Sequence, residues 1–164
     1  LNVLITNNGD GWDSMVKIID SQGKVVATTR TYGREKEMEV NPGVYKVAIQ
    51  ALVMEGLHTY TEMDSIAIEA GKSSPLVYDF KTGNFEIFTR VGSENIDTVV
   101  AVREKKSGKN VGGERTYNKG AKFLLNPGKY MVTINPLGEY KDKVPQSIEV
   151  EVKAGETVRK TLNF

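Results

Sequence analysis

The 164-residue chain carries 22 Lys+Arg against 21 Asp+Glu, a formal net charge of +1, and has no cysteine. Near-neutrality removes any global field that would draw nucleic acid or anionic lipid. The lack of cysteine excludes disulfide frameworks, Cys-based metal sites and Cys nucleophiles, and no apolar run is long enough for direct membrane insertion.

The chain opens on Leu1-Asn2-Val3-Leu4-Ile5, already inside a strand pattern, without Met, a basic n-region or a cleavage site. This reads as a mature or excised fragment, so any targeting signal would lie upstream. Leu1 to Thr6 is a β-prone run closed by Asn7-Asn8-Gly9-Asp10-Gly11, which is dense in turn formers. Met15 to Ile19 resumes as a strand, Asp20-Ser21-Gln22-Gly23-Lys24 reads as a hairpin turn, and Val25 to Thr31 returns. Met38 and Val40, flanked by Glu37 and Glu39, alternate as an antiparallel strand does when one face is wet.

Asn41-Pro42-Gly43-Val44-Tyr45-Lys46-Val47-Ala48-Ile49 then comes back as Asn126-Pro127-Gly128-Lys129-Tyr130-Met131-Val132-Thr133-Ile134, at an offset of 85 in the sequence. Pro presets φ and Gly accepts a positive φ, so Asn-Pro-Gly predicts a type II turn launching a strand. Tyr45, Val47 and Ile49 share one face of that strand, as do Tyr130, Val132 and Ile134. Leu52 to Asp64 and its counterpart Leu137 to Pro145 lack a sustained 3.6-residue apolar stripe and are expected to be long connections. Ile66 to Gly71 matches Val150 to Gly155, and both copies close on an aromatic residue, Phe80 and Phe164.

The duplication divides the chain into a first β-sandwich repeat, residues 1–81, and a second, residues 82–164. The expected fold is all-β: two tandem antiparallel sandwiches of about seven strands each. Residues 1–82 hold 8 Lys+Arg and 11 Asp+Glu, net −3; the remaining 82 hold 14 and 10, net +4. The short Lys81-Thr82-Gly83-Asn84 link predicts a restricted mutual orientation.

The Pro-Gly-x-Tyr-x-Val pattern at Pro42, Gly43, Tyr45 and Val47, repeated at Pro127, Gly128, Tyr130 and Val132 and followed by Ala154-Gly155-Glu156-Thr157, resembles carboxypeptidase regulatory-like (transthyretin-like, Ig-like or prealbumin-like) β-sandwich modules. Fibronectin III-like and collagen-adhesin B-type modules look similar at this level. The resemblance implies a non-catalytic accessory module of a larger bacterial secreted or surface-associated protein, extracytoplasmic, with other domains of its parent chain or another protein as partners. The hydroxyisourate hydrolase relative of the transthyretin fold depends on several histidines and a Tyr-Arg-Gly-Ser end. This chain has one histidine, His58, and ends Thr161-Leu162-Asn163-Phe164. An intramolecular isopeptide of the adhesin type would need a core lysine, for which Lys17 is the one candidate.

Candidate chemistry concentrates in one loop. Asn8-Gly9-Asp10-Gly11-Trp12-Asp13 places oxygen ligands at alternate positions with interleaved glycine, as calcium loops do, yet without the full spacing of such a loop. Asp10 and Asp13 are the calcium candidates. Trp12, the sole tryptophan, sits among carboxylates and amides, where a rigid aromatic face furnishes carbohydrate or peptide contacts, or else folds back over its own sandwich edge or covers the second module. The ligand-binding alternative is therefore a carbohydrate- or calcium-dependent adhesion module using Asn8, Asp10, Trp12 and Asp13. A lone histidine gives no basis for a triad or zinc site, and no cofactor is implied. Arg30-Thr31-Tyr32 recurs as Arg115-Thr116-Tyr117, which predicts a role common to both copies: an Arg stem and Tyr ring packed at a strand end, with a duplicated binding site as the alternative. Gly112-Gly113 inside a strand pattern predicts a bulge or a crossing backbone.

Overall fold

A computed structural model describes residues 1–164. The chain forms two compact units, one of residues 1–53 and 58–80, the other of residues 54–57 and 81–164. The short segment Met54–Leu57, which the sequence groups with the first repeat, thus belongs to the second unit.

In the first unit the strands run in the order β1 (Asn2–Asn7), β2 (Asp10–Gly11), β3 (Ser14–Ile19), β4 (Val25–Arg30), β5 (Lys36–Glu37), β6 (Gly43–Ala51), β7 (Tyr60–Ile68) and β8 (Pro75–Phe80). One sheet has the order β4-β3-β6-β7, all antiparallel. In the other, β1 pairs with β2 and β5 antiparallel and with β8 in parallel. The inward side chains of the two sheets, Val3, Ile5 and Leu76 from one and Val16, Ile18, Val47 and Ile49 from the other, are buried. Their period of two is what the sequence shows for β3 and β6. Lys17 points outward from β3 and is exposed, so it supplies no core lysine.

The second unit repeats the plan with β9 (Gly83–Val91), β10 (Glu94–Asn95), β11 (Thr98–Glu104), β12 (Asn110–Arg115), β13 (Ala121–Leu125), β14 (Gly128–Pro136), β15 (Gln146–Val152) and β16 (Thr157–Asn163). A single 3-10 turn, Gly138–Tyr140, lies in the connection before β15. One sheet is β12-β11-β14-β15; in the other β9 pairs with β10 and β13 antiparallel and with β16 in parallel. Both sheets contribute to one core, from Phe85, Ile87 and Phe123 on one side to Val100, Val132, Ile134 and Val150 on the other. The architecture is the expected all-β sandwich, with one parallel pair per unit added to the antiparallel ladders.

Three local expectations are corrected. No type II turn precedes β6, because Gly43 does not adopt a positive φ. The chain bends at Pro42, and the Tyr45 hydroxyl donates to the Asn41 carbonyl at 2.7 Å, supplying the partner that a turn bond would have supplied. Gly43 leaves room for that ring, since a Cβ there would lie 3.3 Å from Tyr45 Cε2. Tyr130 bonds the Asn126 carbonyl in the same way. Burial, with Glu104 as the smaller influence, pushes its hydroxyl up to about 12. In this tyrosine corner the hydroxyl returns to the backbone a few residues upstream.

Secondly, Tyr60 to Asp64 belong to β7 rather than to a connection. Ser65, at φ 60°, marks a bulge where the register slips opposite Lys46, so the inward positions pass from Thr61 and Met63 to Ile66 and Ile68 on one face and the period of two is masked. Thirdly, Met38 and Val40 lie beyond the two-residue β5. Met38 is nevertheless buried, and its N–H donates to the Leu1 carbonyl at 2.8 Å.

A bulge does adjoin Gly112, where the β11–β12 register shifts. Within the second unit Glu55 donates its N–H to the Leu124 carbonyl at 2.8 Å. Its carboxylate comes against Gly112, where a Cβ would lie 2.6 Å from Oε2. Oε2 is buried without a hydrogen-bond partner. Desolvation and, secondarily, Glu114 push the Glu55 carboxyl above its ordinary range.

Candidate functional site

The Asn8-Gly9 pair sits at φ 52° and 89°, the two positive values of a type I′ turn. It closes a two-pair hairpin in which Thr6 faces Gly11 and Asn7 faces Asp10. The Gly9 N–H donates to Asp79 Oδ1 and the Asn8 N–H to the Phe80 carbonyl, each at 2.9 Å. This tight hairpin leaves Asn8 and Asp10 exposed at its tip.

Beyond the hairpin the chain is knitted to Arg30-Thr31-Tyr32. Arg30 Nε donates to Asp13 Oδ2 at 2.9 Å and Nη2 to the same oxygen at 2.6 Å, while the Tyr32 N–H donates to Oδ1 at 3.0 Å. The Thr31 hydroxyl donates to the Trp12 carbonyl at 2.8 Å and accepts the Ser14 N–H at 2.9 Å. Arg30 Cζ stands 4.7 Å over the Tyr32 ring. The second unit repeats the clasp: Arg115 Nε donates to Asp97 Oδ2 at 2.9 Å, the Tyr117 N–H to Asp97 Oδ1 at 3.0 Å, and the Thr98 N–H to Thr116 Oγ1 at 2.8 Å. Arg115 Cζ is also 4.7 Å above its tyrosine. Tyr32 and Tyr117 have φ of 52° and 49°. A left-handed tyrosine is costly for the backbone, and the aspartate that accepts its N–H offsets that cost.

The arginine bond is the main influence holding the Asp13 and Asp97 carboxyls below their ordinary value of 3.8, against a smaller opposing desolvation. A lowered folded-state pKa means stability that is fully present above 3.8 and lost as pH falls through the lowered value. Urea midpoints measured down the acid limb should therefore fall less steeply in Asp97→Asn than in the parent chain. Parallel acid limbs would remove the clasp from the pH dependence.

Trp12 is half-buried. Its N–H donates to the Ile5 carbonyl at 2.8 Å and its indole Nε1 to the Leu52 carbonyl at 2.7 Å. With the indole donor satisfied, the ring offers its apolar face. That face lines a cleft of about 360 Å³ together with Gly11, Asp13, Tyr32, Gly33, Leu52 and Val53. Of the four sequence candidates the structure brings Trp12 and Asp13 together here; Asn8 and Asp10 lie outside the lining. Tyr32, Gly33, Leu52 and Val53 are the lining residues that sequence reasoning missed. Val53 is 84% exposed at φ 55°, an unusual conformation for a β-branched side chain, and no sequence pattern announces it. No group of three or more His, Cys, Asp or Glu gathers to hold a metal ion. A larger open concavity of about 900 Å³ in the same unit, bounded by Leu1, Asn41, Pro42, Tyr45 and Lys72, contains none of the sequence candidates for ligand contact.

The two copies differ at this place. Trp12 and Ile96 hold the same framework position, each donating its N–H to the strand before the hairpin and each preceding the clasp aspartate. Ile96 is buried at 2% exposure. Gly11 and Gly33 correspond to Asn95 and Asn118.

No protein-family model matches the chain, and no curated protein matches it. Among solved structures, the TIE protein of Bacillus anthracis aligns at 18% identity and a TM-score of 0.46, over 99% of this chain and 34% of that one. A candidate adhesin from Bacteroides ovatus aligns at 11% identity and 0.49, over 99% and 92%. The minor pilin of Streptococcus agalactiae aligns at 10% identity and 0.41, over 99% and 94%. This chain thus spans about a third of the Bacillus anthracis protein. No helix is long and apolar enough to cross a membrane.

Proposed function

We propose that the chain is a non-catalytic tandem β-sandwich accessory module, with repeats at 1–81 and 82–164, serving as a structural spacer or protein-interaction arm of a larger bacterial secreted or surface-associated protein. The carboxypeptidase regulatory-like resemblance of the Pro-Gly-x-Tyr-x-Val strands supports an extracytoplasmic setting. The observation that carries the reading is the repeated clasp. Asp13–Arg30–Tyr32 and Asp97–Arg115–Tyr117 make the same bonds to the same backbone groups. The Asp–Arg pair at this equivalent place in each repeat is thus spent on holding a loop to its own sheet. A spacer is replaceable by shape. Exchanging this chain within its parent for an unrelated tandem β-sandwich of equal length should preserve the parent's surface activity. Loss of that activity, reproduced by a single Trp12 substitution, would overturn the spacer reading.

A second reading, a carbohydrate-binding module, is favoured by one specific observation. The second unit fills the Trp12 position with a buried isoleucine on the same backbone bonds, so the framework does not demand a tryptophan there. A half-exposed indole beside Tyr32 and Val53 is an aromatic platform for a sugar ring. Under this reading Trp12 emission shifts saturably against a glycan in a panel, and calorimetry shows no heat for that glycan with Trp12→Ile. Calcium should leave the emission unchanged, because Arg30 and the Tyr32 N–H occupy Asp13. A calcium response abolished by Asp10→Ala would restore the calcium site instead.

A further inference from the structure

The first and last strands of each unit are hydrogen-bonded partners, and they run parallel. In the first unit β1 and β8 pair from Asn2↔Pro75 to Asn7↔Phe80, six residues in unbroken register. In the second, β9 and β16 pair from Asn84↔Thr157 to Arg90↔Asn163. Backbone bonds just outside the ladders extend them: Asn2 N–H to the Ser74 carbonyl and Asn8 N–H to the Phe80 carbonyl, both 2.9 Å, and in the second unit Phe164 N–H to the Arg90 carbonyl at 2.9 Å.

Side chains fasten the same pairs. The Thr6 hydroxyl donates to Asp79 Oδ1 at 2.7 Å, tying β1 to β8. Arg159 Nε donates to Glu86 Oε2 at 2.7 Å, tying β16 to β9. Each pair also holds core residues. Val3, Ile5, Leu76 and Phe80 are buried in the first unit; Phe85 and Ile87 are buried in the second, with Val158 and Leu162 packed against them.

This topology decides how a pull on the chain is resisted. In a parallel pair the start of the first strand and the end of the last strand lie at opposite ends of the ladder. Force entering through one and leaving through the other runs along the strands and loads every ladder bond at once. An antiparallel terminal hairpin would place both points at one end, where bonds fail one after another. We infer that each unit is a tension-bearing element whose parallel terminal strand pair acts as a shear clamp. A spacer needs only length, so this inference goes beyond the spacer reading, and the two fail separately: the exchange experiment tests replaceability, whereas the clamp is tested by force.

The chain has no cysteine, so handles can be placed at will in the full-length protein. Asn2→Cys with Lys81→Cys pulls the β1–β8 pair from opposite ends; Asn2→Cys with Ser73→Cys pulls it apart from one end. Both pairs are chosen outside the buried core, and matched urea midpoints establish that the two variants are equally stable. Rupture under force is governed by the barrier along the pulling direction rather than by equilibrium stability. At one loading rate the opposite-end geometry should rupture at a force several-fold higher than the same-end geometry. Asp79→Ala, which removes the Thr6 fastening together with the Gly9 N–H bond at the same far end of the ladder, should lower the opposite-end force and leave the same-end force unchanged. Equal rupture forces in the two geometries, with or without Asp79, would overturn the inference.

Discussion

Phe85→Ala should cost about 4 kcal/mol of unfolding free energy, the range for emptying a buried aromatic site. Phe85 is fully buried on β9 and stacks on Phe123 with centroids 5.8 Å apart and an interplanar angle of 20°. β9 lies inside its sheet, paired to β13 and β10 on one edge and to β16 on the other. Its backbone is therefore fixed from both sides and cannot sink into the space left by the ring. Ile87, Val100 and Leu125 are also fully buried, so rigid neighbours rather than water surround the hole. Urea unfolding followed by far-UV circular dichroism measures the loss. An exposed apolar residue such as Val144, 80% exposed, should shift by less than about 0.5 kcal/mol on truncation to Ala. If Phe85→Ala behaved like Val144→Ala, the second-unit core would not be packed as described.

The fold was legible where one face of a strand is wet and the other dry. Tyr45-x-Val47-x-Ile49 and Tyr130-x-Val132-x-Ile134 gave β6 and β14 by alternation alone, and Asp20 to Lys24 gave its hairpin. In that turn the Asp20 carboxylate accepts the Gln22 and Lys24 N–H groups. What escaped has physical reasons. β7 carries its bulge at Ser65, which keeps Met63, Ile66 and Ile68 on one face although their spacing in the sequence breaks the period of two. The parallel pairing of β1 with β8 leaves no local trace, because a half-buried strand alternates in the same way whichever direction its neighbour runs. Asn41-Pro42-Gly43 suggested a turn because proline and glycine report local φ preferences, whereas the Tyr45 hydroxyl that holds the segment acts through a contact made after folding.

The candidate site divides along the same line. Trp12 stands out in the sequence because it is unique and lies in a polar loop. Its companions Tyr32, Leu52 and Val53 are distant in the chain and gather only through the Arg30–Asp13 clasp and the indole bond to Leu52. The carboxylates that drew attention to the loop resolve differently: Asp13 is a structural acceptor, and Asp10 rides the exposed tip of the hairpin. The duplication then serves as an internal control. Bonds found in both copies, the clasp and the tyrosine corner, are what the sandwich requires; Gly11, Trp12 and Gly33, found in one copy only, are what the first unit adds.

Gly11→Ala tests that addition most directly, with an expected loss of about 3 kcal/mol, at the upper end of the cost of forcing extra atoms into a packed site. A Cβ on Gly11 would lie 2.1 Å from the Gly33 carbonyl oxygen and 3.1 Å from its carbon. Both contacts are backbone, so no side chain can swing aside. Neither strand segment is free to retreat. Gly11 faces Thr6 in the hairpin, and Gly33 follows Tyr32, whose N–H is held by Asp13, and precedes Arg34, whose N–H donates to the Thr31 carbonyl at 3.0 Å. Asn95, at the same place in the second unit, already carries a Cβ, so Asn95→Ala should be nearly neutral by comparison. Urea unfolding read through Trp12 emission reports on the adjoining residue and on the unit at once. A reduced midpoint together with a red-shifted native emission is expected, since parting Gly11 from Gly33 opens the cleft wall beside the indole. An unchanged midpoint and an unchanged emission would mean that the two backbones part without cost, and then the cleft is not a surface that the fold holds in place.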